Sequence, residues 1–183
     1  EMLRSLVGSE MCIRDRFCLE RLMIEQDGII LHSAYIERNG HAVLFSAPSG
    51  TGKTTQADLW TRYRNTRTIN GDRTLLKKQK DRWSAYGWPI CGSSEICVNE
   101  VLPVRAIVML CQAKKNPIRQ LHGFEAAKKI FAQLMVNNWN RSYQEKAMDL
   151  LSELLKEIPV VELACDISEQ AVTCLEEYLE NRW

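Results

Sequence analysis

The stretch "APSGTGKTT" at residues 47–55 constrains this chain more than any other. Phosphate oxygens need several backbone N–H donors converging on one point. Gly50 and Gly52 let the chain make that concave turn without side-chain clash. Lys53 adds a mobile positive charge. Thr54 offers a hydroxyl to Mg²⁺ at the start of a helix whose positive end faces the anion. Ser49, Thr51 and Thr55 complete the expected nucleotide loop. Such a loop needs a strand running into it and a helix running out, so the stretch predicts an α/β fold. The pattern G-x-x-x-x-G-K-[ST] asks for glycine where Ala47 stands. The first glycine mainly eases the exit from the strand, so alanine suits the position if its φ is negative.

The flanking pattern agrees. "IILHSAYIERNGHAVLFSA" reads as two strands joined by Asn39-Gly40, a strong hairpin signal, with the second strand entering the loop. "KTTQADLWTRYR" is helical, with Ala57, Trp60 and Tyr63 on one face. "TRTIN" predicts a short strand closed by Gly71-Asp72, and "TLLKKQKDRWSAYG" a second hairpin about Lys80-Asp81. "VRAIVMLCQA" reads as a buried strand. Residues 123–138 and 143–158 have the period of amphipathic helices. Pro159 then precedes the strand "VVELAC" and the helix of residues 167–181. A helix is also predicted over residues 17–28. No internal repeat or low-complexity linker interrupts residues 17–183, which are expected to form one domain.

Composition narrows the function classes. The chain has 183 residues, 45% of them apolar and 26% charged, with a formal net charge of +1. That length supports a real core. No basic block points to nucleic acid or an anionic membrane. Apolar runs such as "AIVML" are too short to span a bilayer. The seven cysteines are scattered, which suits free thiols in a cytoplasmic protein. Residues 1–16 hold "SLVGSEMCIRD", which resembles a translated adapter sequence found at the ends of unrelated reading frames. They are expected to be non-native, with a native N-terminal part missing.

Phosphoryl transfer also needs a carboxylate for the metal. Asp72 in "TINGDR" is one candidate, although Asn-Gly-Asp is equally turn chemistry. Asp166, after "VVELAC", is another. Its spacing to Glu169 favours a helix N-cap instead.

The segment "LHSAYIERNGHAVLFSAPSGTGKTT", followed by "INGDR", resembles the catalytic domain of HPr kinase/phosphorylase and its smaller relatives. Those relatives include kinases found beside peptide-maturation genes, and the core is shared with phosphoenolpyruvate carboxykinase. The resemblance covers about residues 25–115. Three features carry it together: a histidine on the first strand, a hairpin leading into the loop, and an acidic turn one helix later. It implies a P-loop core of that type, a mixed sheet with a β-hairpin before the loop, and helices in the C-terminal half. It implies ATP and Mg²⁺ as cofactors, a protein, peptide or metabolite hydroxyl as acceptor, and a homo-oligomer. Gly50, Gly52, Lys53 and Thr54 match the nucleotide loop, His32 the histidine beside the phosphates, and Asp72 the second aspartate of the family's Asp-Asp pair, next to Arg73. Catalytic roles thus fall on His32, Lys53 and Asp72, and metal contacts on Thr54 and Asp72. Gly71 replaces the pair's first aspartate, so a non-catalytic ATP-binding module is the competing reading. Ser93, Ser94 and Glu95 in "YGWPICGSSEI" are candidates for the acceptor side, or form a polar loop between strands. A carboxykinase-like decarboxylase finds no matching cluster of metal-binding histidine and lysine.

Overall fold

The computed structural model describes residues 19–181 except 91 and 138. The segment 1–16 expected to be non-native lies outside these residues. Among the described residues, eight strands and five α-helices follow in the order α1 (Leu19–Glu25), β1 (Gly28–Arg38), β2 (His41–Ser46), α2 (Lys53–Arg64), β3 (Arg67–Asn70), β4 (Arg73–Gln79), β5 (Arg82–Gly87), β6 (Val101–Gln112), β7 (Ile118–Leu121), α3 (Gly123–Phe131), α4 (Arg141–Glu157), β8 (Val160–Cys165) and α5 (Glu169–Glu180). The fold is mixed α/β, as the sequence implied, and its sheet is mostly antiparallel. Its centre is parallel: β6 lies between β2 and β8 and runs parallel to both.

These central strands read as continuous apolar runs because both faces are covered. Alternate residues serve two different cores. Val43 and Phe45 of β2, Val108 and Leu110 of β6, and Val161 and Leu163 of β8 pack with Trp60 of α2 and Leu175 of α5. Leu44, Ile107, Met109 and Val160 face the opposite side, where Ile130 of α3 and Leu151 and Leu154 of α4 cover them. Trp60 is buried against Phe45, ring centroids 6.3 Å apart, under the Arg38 guanidinium. Such aromatic burial fixes α2, and with it the loop that α2 follows.

Both predicted hairpins form. Asn39 and Gly40 take φ of 52° and 75°, and Lys80 and Asp81 take 48° and 63°. Two successive positive φ values match the right-handed twist of the flanking strands. The helix of α2 spans the expected residues 53–64.

Two local expectations are corrected, and one strand is added to those the sequence suggested. The helix from residue 123 ends at Phe131 rather than 138, because the chain turns to bridge Leu134 to Leu31 on β1. Residues 118–121 form β7 on the antiparallel edge of β8. Ser168, not Asp166, is the N-cap of α5, and Asp166 Oδ1 accepts a hydrogen bond from Ser168 Oγ.

The strand β1 changes partners midway. Residues 28–32 pair with β4, and residues 33–38 pair with β2 and β3. His32 is the last residue of the first register, opposite Arg73, and Ser33 the first of the second, opposite Ser46. A cavity lined by His32, Asp72 and Arg73 lies at this change of partners.

Candidate functional site

The loop leaves β2 at Ala47 and enters α2 at Lys53. Ala47 is fully buried and keeps a negative φ, which is why alanine serves there. Gly50 and Gly52 have φ of 77° and 112°, a region side chains rarely tolerate. Gly52 is the N-cap of α2 and supplies no side-chain cap, so the first-turn N–H groups keep their donor capacity toward the loop. Ser49 is exposed, and Thr54 and Thr55 are half-buried on the first turn. Thr51 N–H donates to Pro48 O at 3.3 Å, and Gln112 Nε2 to Thr51 O at 3.4 Å. These bonds hold the loop from both ends.

Lys53 is buried, and its Nζ donates to Ala47 O at 3.0 Å and to Pro48 O at 3.4 Å. The ammonium therefore folds back over the loop's own carbonyls. Burial lowers its pKa from the ordinary lysine value, and the negative charge of Asp72 opposes that shift.

The second half of the site forms at the partner switch of β1. Asp72 Oδ1 lies 3.5 Å from His32 Nε2, and Oδ2 lies 3.4 Å from Arg73 Nε. Hydrogen bonding from His32, with the charges of His32, Arg73 and Lys53 behind it, holds the Asp72 carboxyl below its ordinary pKa against the effect of burial. The carboxylate is thus ionised at neutral pH. Two hydrogen bonds tie the halves together: Ser33 N–H donates to Asp72 O at 3.0 Å, and Ser46 Oγ to His32 O at 2.8 Å. Ser46 is the residue immediately before the loop.

The sequence reading named His32, Lys53, Asp72 and Arg73, and the structure brings them into one electrostatic neighbourhood. It missed the residue that shapes the acidic turn. Asn70 is fully buried; its Oδ1 accepts from Asp72 N–H and Arg73 N–H, both at 2.9 Å. Its Nδ2 donates to Trp88 O at 2.6 Å and Ile90 O at 3.2 Å. The signal was present in "TINGDR", where an asparagine two residues before the acid is Asx-turn chemistry. The same bonds pull the 88–96 loop onto the acid. Gly92, at φ 58°, lies so close that a Cβ there would come within 2.9 Å of Asp72 Cβ and Cγ. Of the acceptor-side candidates, Ser94 Oγ accepts from Ile96 N–H at 3.3 Å and Glu95 takes a positive φ of 56°.

Two cavities flank these groups. One of about 280 Å³ is lined by His32, Asp72, Arg73 and residues 132–135. Its far wall is the segment that left α3 early, held by His32 N–H to Gln133 O and Met135 N–H to Ile30 O, both at 2.9 Å. The other, of about 580 Å³, is bordered by Gly50, Thr51 and Gly52 and by Gln112, Asp166 and Ile167. Among the described residues no group of three or more His, Cys, Asp or Glu side chains is placed to hold a metal. A Mg²⁺ ion at Thr54 and Asp72 would need phosphate oxygens and water for its remaining ligands, which is how this ion ordinarily binds. Among the described residues no helix is long and apolar enough to cross a membrane.

A family model described as "SynChlorMet cassette protein ScmC" matches residues 16–180. Among solved structures the chain is similar to one described as "Structure of the Hpr(Ser) kinase/phosphatase from Coxiella burnetii". The two share 13% sequence identity and a TM-score of 0.47, over 84% of this chain and 95% of that one. No curated protein matches the sequence.

Proposed function

The chain belongs to the ScmC family, and from that premise we propose that it is a phosphotransferase using ATP and Mg²⁺ to phosphorylate a hydroxyl. The observation that carries this reading is the hydrogen-bonded join between Ser46, which leads into the glycine turn, and the turn where Asp72 meets His32 and Arg73. Binding and transfer would use different parts. Backbone N–H groups of Gly50 and residues 52–54 would hold the outer phosphates, and Lys53 would swing from Ala47 O and Pro48 O to offset the charge of the γ-phosphoryl group. Thr54 and Asp72, with phosphate oxygens, would hold a metal ion that would further neutralise charge on the phosphates.

Asp72 orients the acceptor hydroxyl in the cavity it shares with residues 132–135. As the acceptor oxygen bonds to the γ-phosphorus, the bond from that phosphorus to the ADP oxygen breaks and the hydroxyl proton passes to Asp72. A carboxylate with a depressed pKa is a weak base. It suffices because a loose transition state leaves the acceptor proton in place until late, so that positioning matters more than base strength. His32, against Oδ1, holds the carboxylate in place.

Gly71 favours a second reading, a nucleotide-binding module without turnover. It stands where the related pair has an aspartate, and it is buried with its N–H donated to Ile96 O. One experiment separates the two: γ-labelled ATP with Mg²⁺ and hydroxyl acceptors, run on the native chain, Lys53→Ala and Asp72→Asn. Transfer by the native chain that both substitutions abolish supports the kinase. Binding without turnover supports the module, and ATP binding untouched by Lys53→Ala sinks both.

A further inference from the structure

His32 is held by its backbone as well as by its ring. It is the last residue of β1 to pair with β4, and its N–H donates to Gln133 O at 2.9 Å. On the β2 side the register runs from Arg38 opposite His41 to Ser33 opposite Ser46, where β2 ends. One step further the ladder would have supplied an N–H to the His32 carbonyl. The Ser46 hydroxyl serves in its place and donates to His32 O at 2.8 Å. Ser46 is fully buried, so water does not compete for this bond.

Ser46 and Ala47 therefore hold the two halves of the site from adjacent positions. Ala47 O accepts from Lys53 Nζ at 3.0 Å, while Ser46 Oγ reaches His32, whose Nε2 lies 3.5 Å from Asp72 Oδ1. Ser33, next along β1 and opposite Ser46, donates its N–H to Asp72 O at 3.0 Å. A phosphate that draws Lys53 away from Ala47 O changes the pull on the residue beside Ser46. The hydroxyl then has a bonded route from the loop to the acid.

We propose that Ser46 is a positioning residue whose hydroxyl carries the state of the phosphate loop to His32, and so sets Asp72 for transfer once nucleotide is bound. It acts through His32 and not on the substrate. This inference rests on the phosphotransferase reading above and deepens it by naming the group that couples binding to transfer.

The test uses the full chain with Mg²⁺ and γ-labelled ATP, with water and free serine as the acceptor hydroxyls, on the native protein, Ser46→Ala and Ser46→Cys. Cysteine fills nearly the same space but is a weak donor, so it separates the hydrogen bond from packing. Both variants should keep the KM for ATP within about twofold and lower kcat about tenfold or more, because a misplaced reacting group costs rate more than binding. A kcat near native in Ser46→Cys would overturn the inference, since the donated bond would then be dispensable. A raised KM with kcat unchanged would overturn it too, by confining Ser46 to the phosphate loop. If the native chain transfers label to neither acceptor, the phosphotransferase reading itself fails and takes the inference with it.

Discussion

The amide of Asn70 grips Asp72 from below, its Oδ1 accepting the Asp72 and Arg73 N–H groups at 2.9 Å while its Nδ2 holds the carbonyls of Trp88 and Ile90. One buried side chain therefore sets both the acidic turn and the segment that packs over it. Asn70→Ala would strand two donors and two acceptors in the interior, at about 1–3 kcal/mol for each group that water cannot reach. We expect a loss of about 3 kcal/mol, read by urea denaturation. Asn70→Asp should be no rescue. Its carboxylate can still accept both N–H groups but faces the two carbonyls with no proton to give. Stability of Asn70→Asp near that of the native chain would contradict this account.

Gly92 gives the same site a steric test. Alanine there would put a methyl carbon 2.9 Å from Asp72 Cβ and Cγ, in a backbone with φ of 58°. The left-handed conformation alone costs a β-carbon about 1–2 kcal/mol. The clash must be relieved by moving either the loop or the acid. Gly92→Ala should therefore lower phosphoryl transfer at least tenfold while changing ATP affinity far less, since the glycine loop is not disturbed. Equal losses in both would show that Asp72 is not what the substitution displaces.

The pH dependence follows from the direction of the Asp72 shift. Its folded pKa lies below the ordinary 3.8, chiefly through the His32 contact. A carboxyl depressed on folding adds stability that is fully present above its unfolded pKa and disappears as pH falls through the folded one. The native chain should thus lose more unfolding free energy than Asp72→Asn between about pH 5 and pH 2. Parallel losses in chemical denaturation over that range would mean that the carboxylate is not stabilised by its neighbours.

The sequence carried the parts of the site that depend on local chemistry. The Asn39-Gly40 turn, the glycines of the loop and the period of α2 each specify their conformation within a few residues. Pairing across the fold left weaker traces. Residues 132–135 continue a helical pattern, yet they leave the helix because β1 has an unpaired edge at Leu31 that takes Leu134. The four residues of β7 are too short for alternation to stand out, and their pairing with β8 is what makes them a strand. Asp166 has capping spacing to Glu169, but Ser168 lies nearer the helix and takes the cap position. Ser46 reads as one more small residue at the end of a strand. Only its bond to His32 O marks it out.

Ala47 offers the last test, because it is the position at which the loop departs from the usual glycine. Its side chain is buried in the same core as Ala57 and Trp60, while its carbonyl accepts from Lys53 Nζ at 3.0 Å. A methyl in that place contributes about 0.8 kcal/mol of burial, and glycine adds about 0.5–1 kcal/mol of backbone entropy lost on folding. Restoring the usual residue should therefore harm the protein. Ala47→Gly is expected to unfold about 1.5 kcal/mol more easily and to leave ATP affinity within about twofold, since φ at this position is already negative and the carbonyl is retained. A marked gain in ATP affinity for Ala47→Gly, measured by titration beside the native chain, would mean that alanine strains the cradle after all.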